Sequence, residues 1–284
     1  MTLGRDLGMR GLARASALVL CIAGACAGLL GGCATQSTTT TSPTGASASR
    51  DIATASDETE AQRRARIRLE LASAYYAQGQ MTTALDEVKL ALSTDPNNAS
   101  AYNLRGLIYD ALGDERVAEE SFLRATSIDP RDNDVKQNYG WFLCQHKRYA
   151  EADRVFTESA KDPQNRFASR TLLAQGVCQR AAGKMVEAES TLKQSYELDA
   201  SNPATGMNLA DVLYRRGDYD RARFYVRRVN SVPEQVNAES LWLAVRVENK
   251  LGNRQSVSEF GTQLRQRFPS SREAVAYERR QFDE

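Results

Sequence analysis

An all-α solenoid of about six helical pairs is the fold this sequence predicts, on three observations. An alanine recurs at Ala84, Ala118, Ala152, Ala188 and Ala222, in steps of 34, 34, 36 and 34 residues. Five residues before it stands a glycine in four of the five cases, at Gly79, Gly113, Gly183 and Gly217. Prolines at Pro96, Pro130 and Pro269 close individual units in the same register. A constant period of this length marks one supersecondary unit copied along the chain, each copy too small to bury its apolar face alone. Unrelated amphipathic helices in a bundle would not keep turns and prolines in step.

The first unit runs from Ala65 to Asn98 and carries Leu71, Ala72, Tyr75, Gly79, Ala84, Val88, Ala91 and Pro96. The second, Ala99 to Asp132, carries Tyr102, Gly106, Tyr109, Gly113, Ala118, Phe122, Ala125 and Pro130. The third, fourth, fifth and sixth open at Asn133, near Ser169, at Pro203 and at Ala238. These positions match the tetratricopeptide signature W-x2-L-G-x2-Y…A-x3-F…P, so the predicted architecture is a right-handed superhelix of tetratricopeptide helix pairs. Small residues at Ala72, Gly106, Gly140, Gly176 and Ala210 let two helices approach to roughly 8–10 Å. Glycine ends the first helix because it accepts left-handed dihedrals. The residue before each proline is pushed out of the helical region, which stops the second helix. Units three and six depart from the pattern: Lys147 replaces the turn glycine, and Gly261 replaces a large apolar residue. The repeats span 61–269, and 270–284 is expected to form a polar capping helix, which an open solenoid end requires.

Residues 1–32 look like an address rather than part of the fold. Arg5, Arg10 and Arg14 precede an uncharged apolar stretch from Ala15 to Leu30, which is the build of a secretory signal and is short of a comfortable membrane span. The stretch ends in Leu30-Gly31-Gly32-Cys33, similar to the lipobox of bacterial lipoproteins, in which the cysteine becomes the acylated first residue. A signal cleaved elsewhere is the alternative. By the same resemblance, Ala34 after the cysteine implies sorting to the outer membrane, with the repeats facing the periplasm. Residues 33–60 begin rich in threonine, serine and alanine and can bury almost nothing. About 25 such residues act as a tether with an end-to-end distance near 25–30 Å.

The full chain carries a formal charge of +1. The signal takes away three arginines and one aspartate, leaving about −1. That is no footprint for nucleic acid. Nor is there a zinc-spaced Cys/His cluster, a phosphate loop or a nucleophile elbow. The single histidine, His146, sits beside Lys147 and Arg148 near a turn and reads as a surface residue. The expectation is a binding protein, with no cofactor, no metal and no small-molecule substrate.

Of five cysteines, Cys21 and Cys26 leave with the signal and Cys33 is the lipid site, so the repeats keep Cys144 and Cys178. Both fall on first helices of successive units, two positions out of step, an offset of about 3 Å along a helix. A bridge is then within reach if both side chains face the shared seam, and an oxidising periplasm favours it. Two buried thiols are the alternative.

The inner face is expected from positions 2, 5, 9, 12 and 13 of the first helices. In units one to three this selects Leu69, Ser73, Tyr76, Asn103, Leu107, Asp110 and Trp141 as a partner groove, with Arg66, Ser100, Asp134 and Gln137 beside them. An apolar strip with polar flanks suits a peptide or helix carrying a few hydrophobic anchors. The other account is that these side chains pack between neighbouring helices.

Together with the lipobox and the repeats, the segments Asn138-Tyr139-Gly140-Trp141-Phe142-Leu143-Cys144, Lys147-Arg148-Tyr149-Ala150-Glu151-Ala152 and Gly176-Val177-Cys178 resemble the PilW/PilF family. These are outer-membrane tetratricopeptide lipoproteins for type IV pilus biogenesis and stability. The resemblance covers the whole mature chain, and family members with two cysteines match Cys144 and Cys178. It implies a pilotin-like role: helping the secretin, the pore through which the pilus emerges, to localise and multimerise. A scaffold for another envelope complex and a regulatory subunit of a cell-wall enzyme are the competing functions.

Overall fold

Short polar caps and left-handed turns cut the repeat region into helices, and the computed structural model, which describes residues 58–282, shows where each cut falls. Six pairs follow one another: α1 (Glu60–Ala77) and α2 (Met81–Thr94), α3 (Ala99–Ala111) and α4 (Glu115–Ile128), α5 (Asn133–Gln145) and α6 (Tyr149–Lys161). Then come α7 (Ala168–Ala181) and α8 (Met185–Leu198), α9 (Pro203–Arg215) and α10 (Tyr219–Asn230), α11 (Ala238–Lys250) and α12 (Arg254–Arg267). A short α13 (Arg272–Glu278) ends the series, and no strand occurs among the described residues. The predicted signal, lipobox and most of the tether lie outside the described residues.

Local chemistry explains the boundaries. Asp or Asn side chains cap α3, α4, α5, α9, α10, α11 and α12 by accepting from a backbone N–H of the first turn. α1 starts at Glu60, ahead of the repeat frame, because Thr59 and Gln62 form a reciprocal capping box. Asp95, Asp129 and Phe268, each before a proline, leave the helical region and end α2, α4 and α12. The 36-residue step arises between α6 and α7. There buried Asn165 donates to the Ser159 carbonyl at 2.9 Å and the Thr171 hydroxyl at 3.2 Å, filling the longer connection.

The two departures from the repeat pattern have physical accounts. Lys147 adopts φ 60°, the same left-handed turn that Gly79, Gly113, Gly183 and Gly217 make. A side chain in that region costs about 1–2 kcal/mol, partly offset by its lower entropy in the unfolded chain. Lys147→Gly is therefore expected to raise stability by up to about 1 kcal/mol; an unchanged denaturation midpoint would show that the turn carries no strain.

Gly261 belongs to a volume exchange that runs through all six units. At the eighth and twenty-fourth positions of the units, the first helix carries Ala72, Gly106, Gly140, Gly176, Ala210 and Val245, and the second carries Val88, Phe122, Phe156, Leu192, Val226 and Gly261. Glycine faces the bulky residues and alanine faces valine. A methyl on Gly106 or Gly140 would meet the Phe122 or Phe156 ring at 2.8 Å. In the last pair the sizes are reversed, and the Tyr277 ring of α13 occupies the place where a Gly261 side chain would stand. Tyr277 and Ala274 thereby join Leu241 and Leu264 in one apolar cluster, so the cap is keyed to the missing side chain. Gly261→Leu should expel Tyr277 and expose α13 to trypsin at Arg272 and Arg279. Unaltered cleavage would mean that the cap is held some other way.

Candidate partner-binding face

Which side of the solenoid is hollow follows from which helices touch. Each first helix packs on the next first helix, α1 on α3, α3 on α5, α5 on α7, α7 on α9 and α9 on α11. No second helix packs on another second helix among the described residues. The first helices are therefore crowded on the inside of the curve, and their free faces line it.

The predicted groove residues divide by what they touch. Leu69, Tyr76 and Leu107 are half-buried and pack against Ala72, Ala84, Val88, Leu104 and Ile108. Burial raises the Tyr76 phenol above its ordinary value, and the nearby Asp110 carboxylate adds to the shift. Ser73 is exposed, its hydroxyl donating to the Leu69 carbonyl at 2.8 Å. Asn103 accepts from the Asn138 amide at 3.2 Å, and Gln137 accepts from the Thr171 hydroxyl at 3.2 Å. Asp110 meets His146 Nε2 at 2.8 Å. Trp141 keeps 39% of its surface exposed and is the large apolar side chain that this face presents to solvent in unit three.

Several of these contacts join successive first helices. Cys144 on α5 and Cys178 on α7 form a disulfide with a Cα–Cα separation of 5.8 Å. His146 is half-buried: its Nδ1 lies 3.1 Å from Glu115 Oε1, and its ring stands 4.5 Å from that of Phe142. Further along, Arg180 of α7 reaches Asp211 of α9 at 2.6 Å. The inner face of units two to five is thus stitched by polar pairs and one covalent bond.

A second network ties units two and three. Arg148 holds Glu119 at 2.7 Å and Glu151 at 2.7 Å, and the Tyr139 hydroxyl donates to Glu119 at 3.2 Å. Burial, with the Glu119 charge beside it, pushes the Tyr139 phenol up to about 12. Between units five and six, fully buried Glu248 accepts from Arg227 Nε at 2.7 Å.

On units four to six the same inner positions form a cleft of ≈ 240 Å³ lined by Arg180, Met207, Asp211, Glu239, Trp242 and Arg246, among others. The Arg246 guanidinium lies 4.5 Å from the centre of the Tyr214 ring. Among the described residues no group of three or more His, Cys, Asp or Glu could hold a metal ion. No described helix is long and apolar enough to cross a membrane. Cys33 lies outside the described residues.

Sequence profiles of the TPR repeat match residues 72–113, and tetratricopeptide repeat profiles match 99–132 and 179–244. The type IV pilus assembly protein PilF of Pseudomonas aeruginosa is 28% identical over 205 residues, 72% of this chain and 81% of PilF. The crystal structure of PilW, described as a widely conserved type IV pilus biogenesis factor, superposes with a TM-score of 0.68. The identity there is 31%, and the match covers 75% of this chain and 97% of PilW. This chain belongs to the PilW/PilF family. The solved structure of Pseudomonas aeruginosa PilF is matched over its full length, at 25% identity, a TM-score of 0.67 and 78% of this chain.

In this PilW/PilF-family protein the inner-face residues that sequence reasoning missed are Asn138, His146, Arg180, Asp211, Trp242 and Arg246. Arg180, Asp211, Trp242 and Arg246 need only the same position rule carried through later units, and His146 needs it carried one step past the helix end. Asn138 gave no such signal, since its partner is set by the stagger between α3 and α5.

Proposed function

We propose that this protein serves type IV pilus biogenesis as a lipid-anchored tetratricopeptide protein of the outer membrane that binds the secretin and promotes its localisation and multimerisation. The observation that carries the proposal is the match of 97% of the PilW chain, a pilus biogenesis factor, onto this one. PilF, named for type IV pilus assembly, supports the same reading. Leu30-Gly31-Gly32-Cys33 supplies the anchor. Anchored repeats would gather secretin subunits on one surface, so that assembly proceeds at a raised effective concentration. The role proposed is binding, and the charged pairs Arg148–Glu119, Arg180–Asp211 and Arg227–Glu248 hold the joints between repeats that shape the binding face.

Leu69 and Leu107 pack into the cores of units one and two, so charged substitutions there would unfold the repeats along with the groove. Trp141 is the cleaner probe, since a buried interface tryptophan commonly carries about 2 kcal/mol or more. Trp141→Ala should retain the helical circular-dichroism spectrum and weaken secretin capture from solubilised envelopes by roughly thirtyfold. A cell lacking the protein should lose heat-resistant secretin multimers. Normal multimers in that cell, or a different envelope complex on the affinity column, would replace the secretin reading.

A further inference from the structure

The segment after α13 turns back onto the hollow side of unit six. Phe282 places its ring 5.9 Å from that of Trp242 and 6.2 Å from that of Tyr277, and its main-chain carbonyl accepts from Arg246 Nε at 3.3 Å. Trp242 and Arg246 are the fifth and ninth residues of the unit, the inner-face positions. Both also line the cleft that continues past Met207 and Asp211 to Arg180. The contact has the two parts of peptide recognition: an aromatic side chain against an aromatic wall, and a main-chain carbonyl held by a guanidinium. The wall is preformed, because Arg246 is already stacked on Tyr214.

From this we infer that the inner face of units five and six is a second protein-binding site. It takes an extended peptide with a phenylalanine-type side chain, and Phe282 is its tethered occupant. Peptide and tail compete for Trp242 and Arg246. α13 itself is docked through Ala274 and Tyr277, so Phe282 can leave while the cap stays folded. The inference does not depend on the pilus reading, which concerns the face around Trp141.

A short tether holds its own ligand at an effective concentration on the order of 1 mM. Against a single-anchor peptide of dissociation constant on the order of 100 μM, that occupancy weakens outside binding about tenfold. The probe is an acetylated, amidated hexapeptide with the sequence of residues 277–282, titrated into the full chain carrying Trp141→Phe, which leaves Trp242 as the reporting tryptophan. With Phe282→Ala added, saturable Trp242 fluorescence change is expected at about tenfold lower peptide concentration than with Phe282 present. Phe282→Tyr should behave as Phe282 does. Adding Arg246→Ala to the Phe282→Ala chain, or replacing the peptide's phenylalanine by alanine, should abolish the response. Thermal melts and circular dichroism verify that each variant is folded. Equal affinity with and without Phe282, no saturation in the emptied chain, or a response that survives loss of the peptide's ring would each overturn the inference. Should Phe282→Ala disturb α13, Arg246→Ala alone must change Trp242 emission in the chain that keeps Phe282; an unchanged spectrum overturns it equally.

Discussion

Replacing Cys144 and Cys178 together by serine is expected to lower stability by about 3–4 kcal/mol, the loop entropy released by opening a closure between residues 34 apart. The loss should be concentrated at the joint of units three and four. In a repeat array each unit contacts only its neighbours, so a weakened joint can split one unfolding transition into two. The bond lies on the inner face, where α5 meets α7, and its removal leaves the Gln137–Thr171 hydrogen bond among the contacts along the same seam. Thermal melts with and without reductant supply the measurement. Reductant should shift the wild-type chain down to the double-serine value and leave the double-serine chain unmoved. Coincident wild-type melts under both conditions would mean that the bond is absent or contributes nothing.

The second large effect comes from the size exchange within each pair. Phe122 is fully buried against Gly106, and Phe122→Val should cost about 2–4 kcal/mol through lost burial and the cavity left behind. Gly106→Ala places a methyl 2.8 Å from that ring and should cost about 1–3 kcal/mol by overpacking, less the better helix propensity of alanine. The double variant rebuilds the alanine–valine crossing already present as Ala72–Val88 and Ala210–Val226. It should therefore recover about 0.5–3 kcal/mol relative to the sum of the single losses. Denaturant titrations of the four chains give the coupling. Strict additivity would refute the claim that these two positions share one space.

How far the sequence could be followed depends on how local each cause is. The turn at Lys147 was visible as a broken glycine pattern, and its left-handed dihedral follows from the neighbouring helices needing the same reversal. The inner-face positions could be counted from the period, but what they do could not. Asn103 and Asp110 look like partner contacts until the stagger of successive first helices brings Asn138 and His146 to them. Leu69 and Leu107 lie on the same stripe as Trp141, yet they pack against the Ala72, Val88 and Ile108 core while Trp141 faces water, a difference that the repeat period does not carry. The fold-back of Phe282 onto Trp242 had no signal at all: the residues are 40 apart in sequence and belong to no common period.

By itself the sequence determined the helical pairs, their number and their register, because a repeat writes its packing into spacing that recurs every turn of the solenoid. Tertiary structure alone decided which inner-face side chains are left for a partner. That outcome depends on small rotations between neighbouring units, and these emerge only when all the volumes along the stack are fitted together.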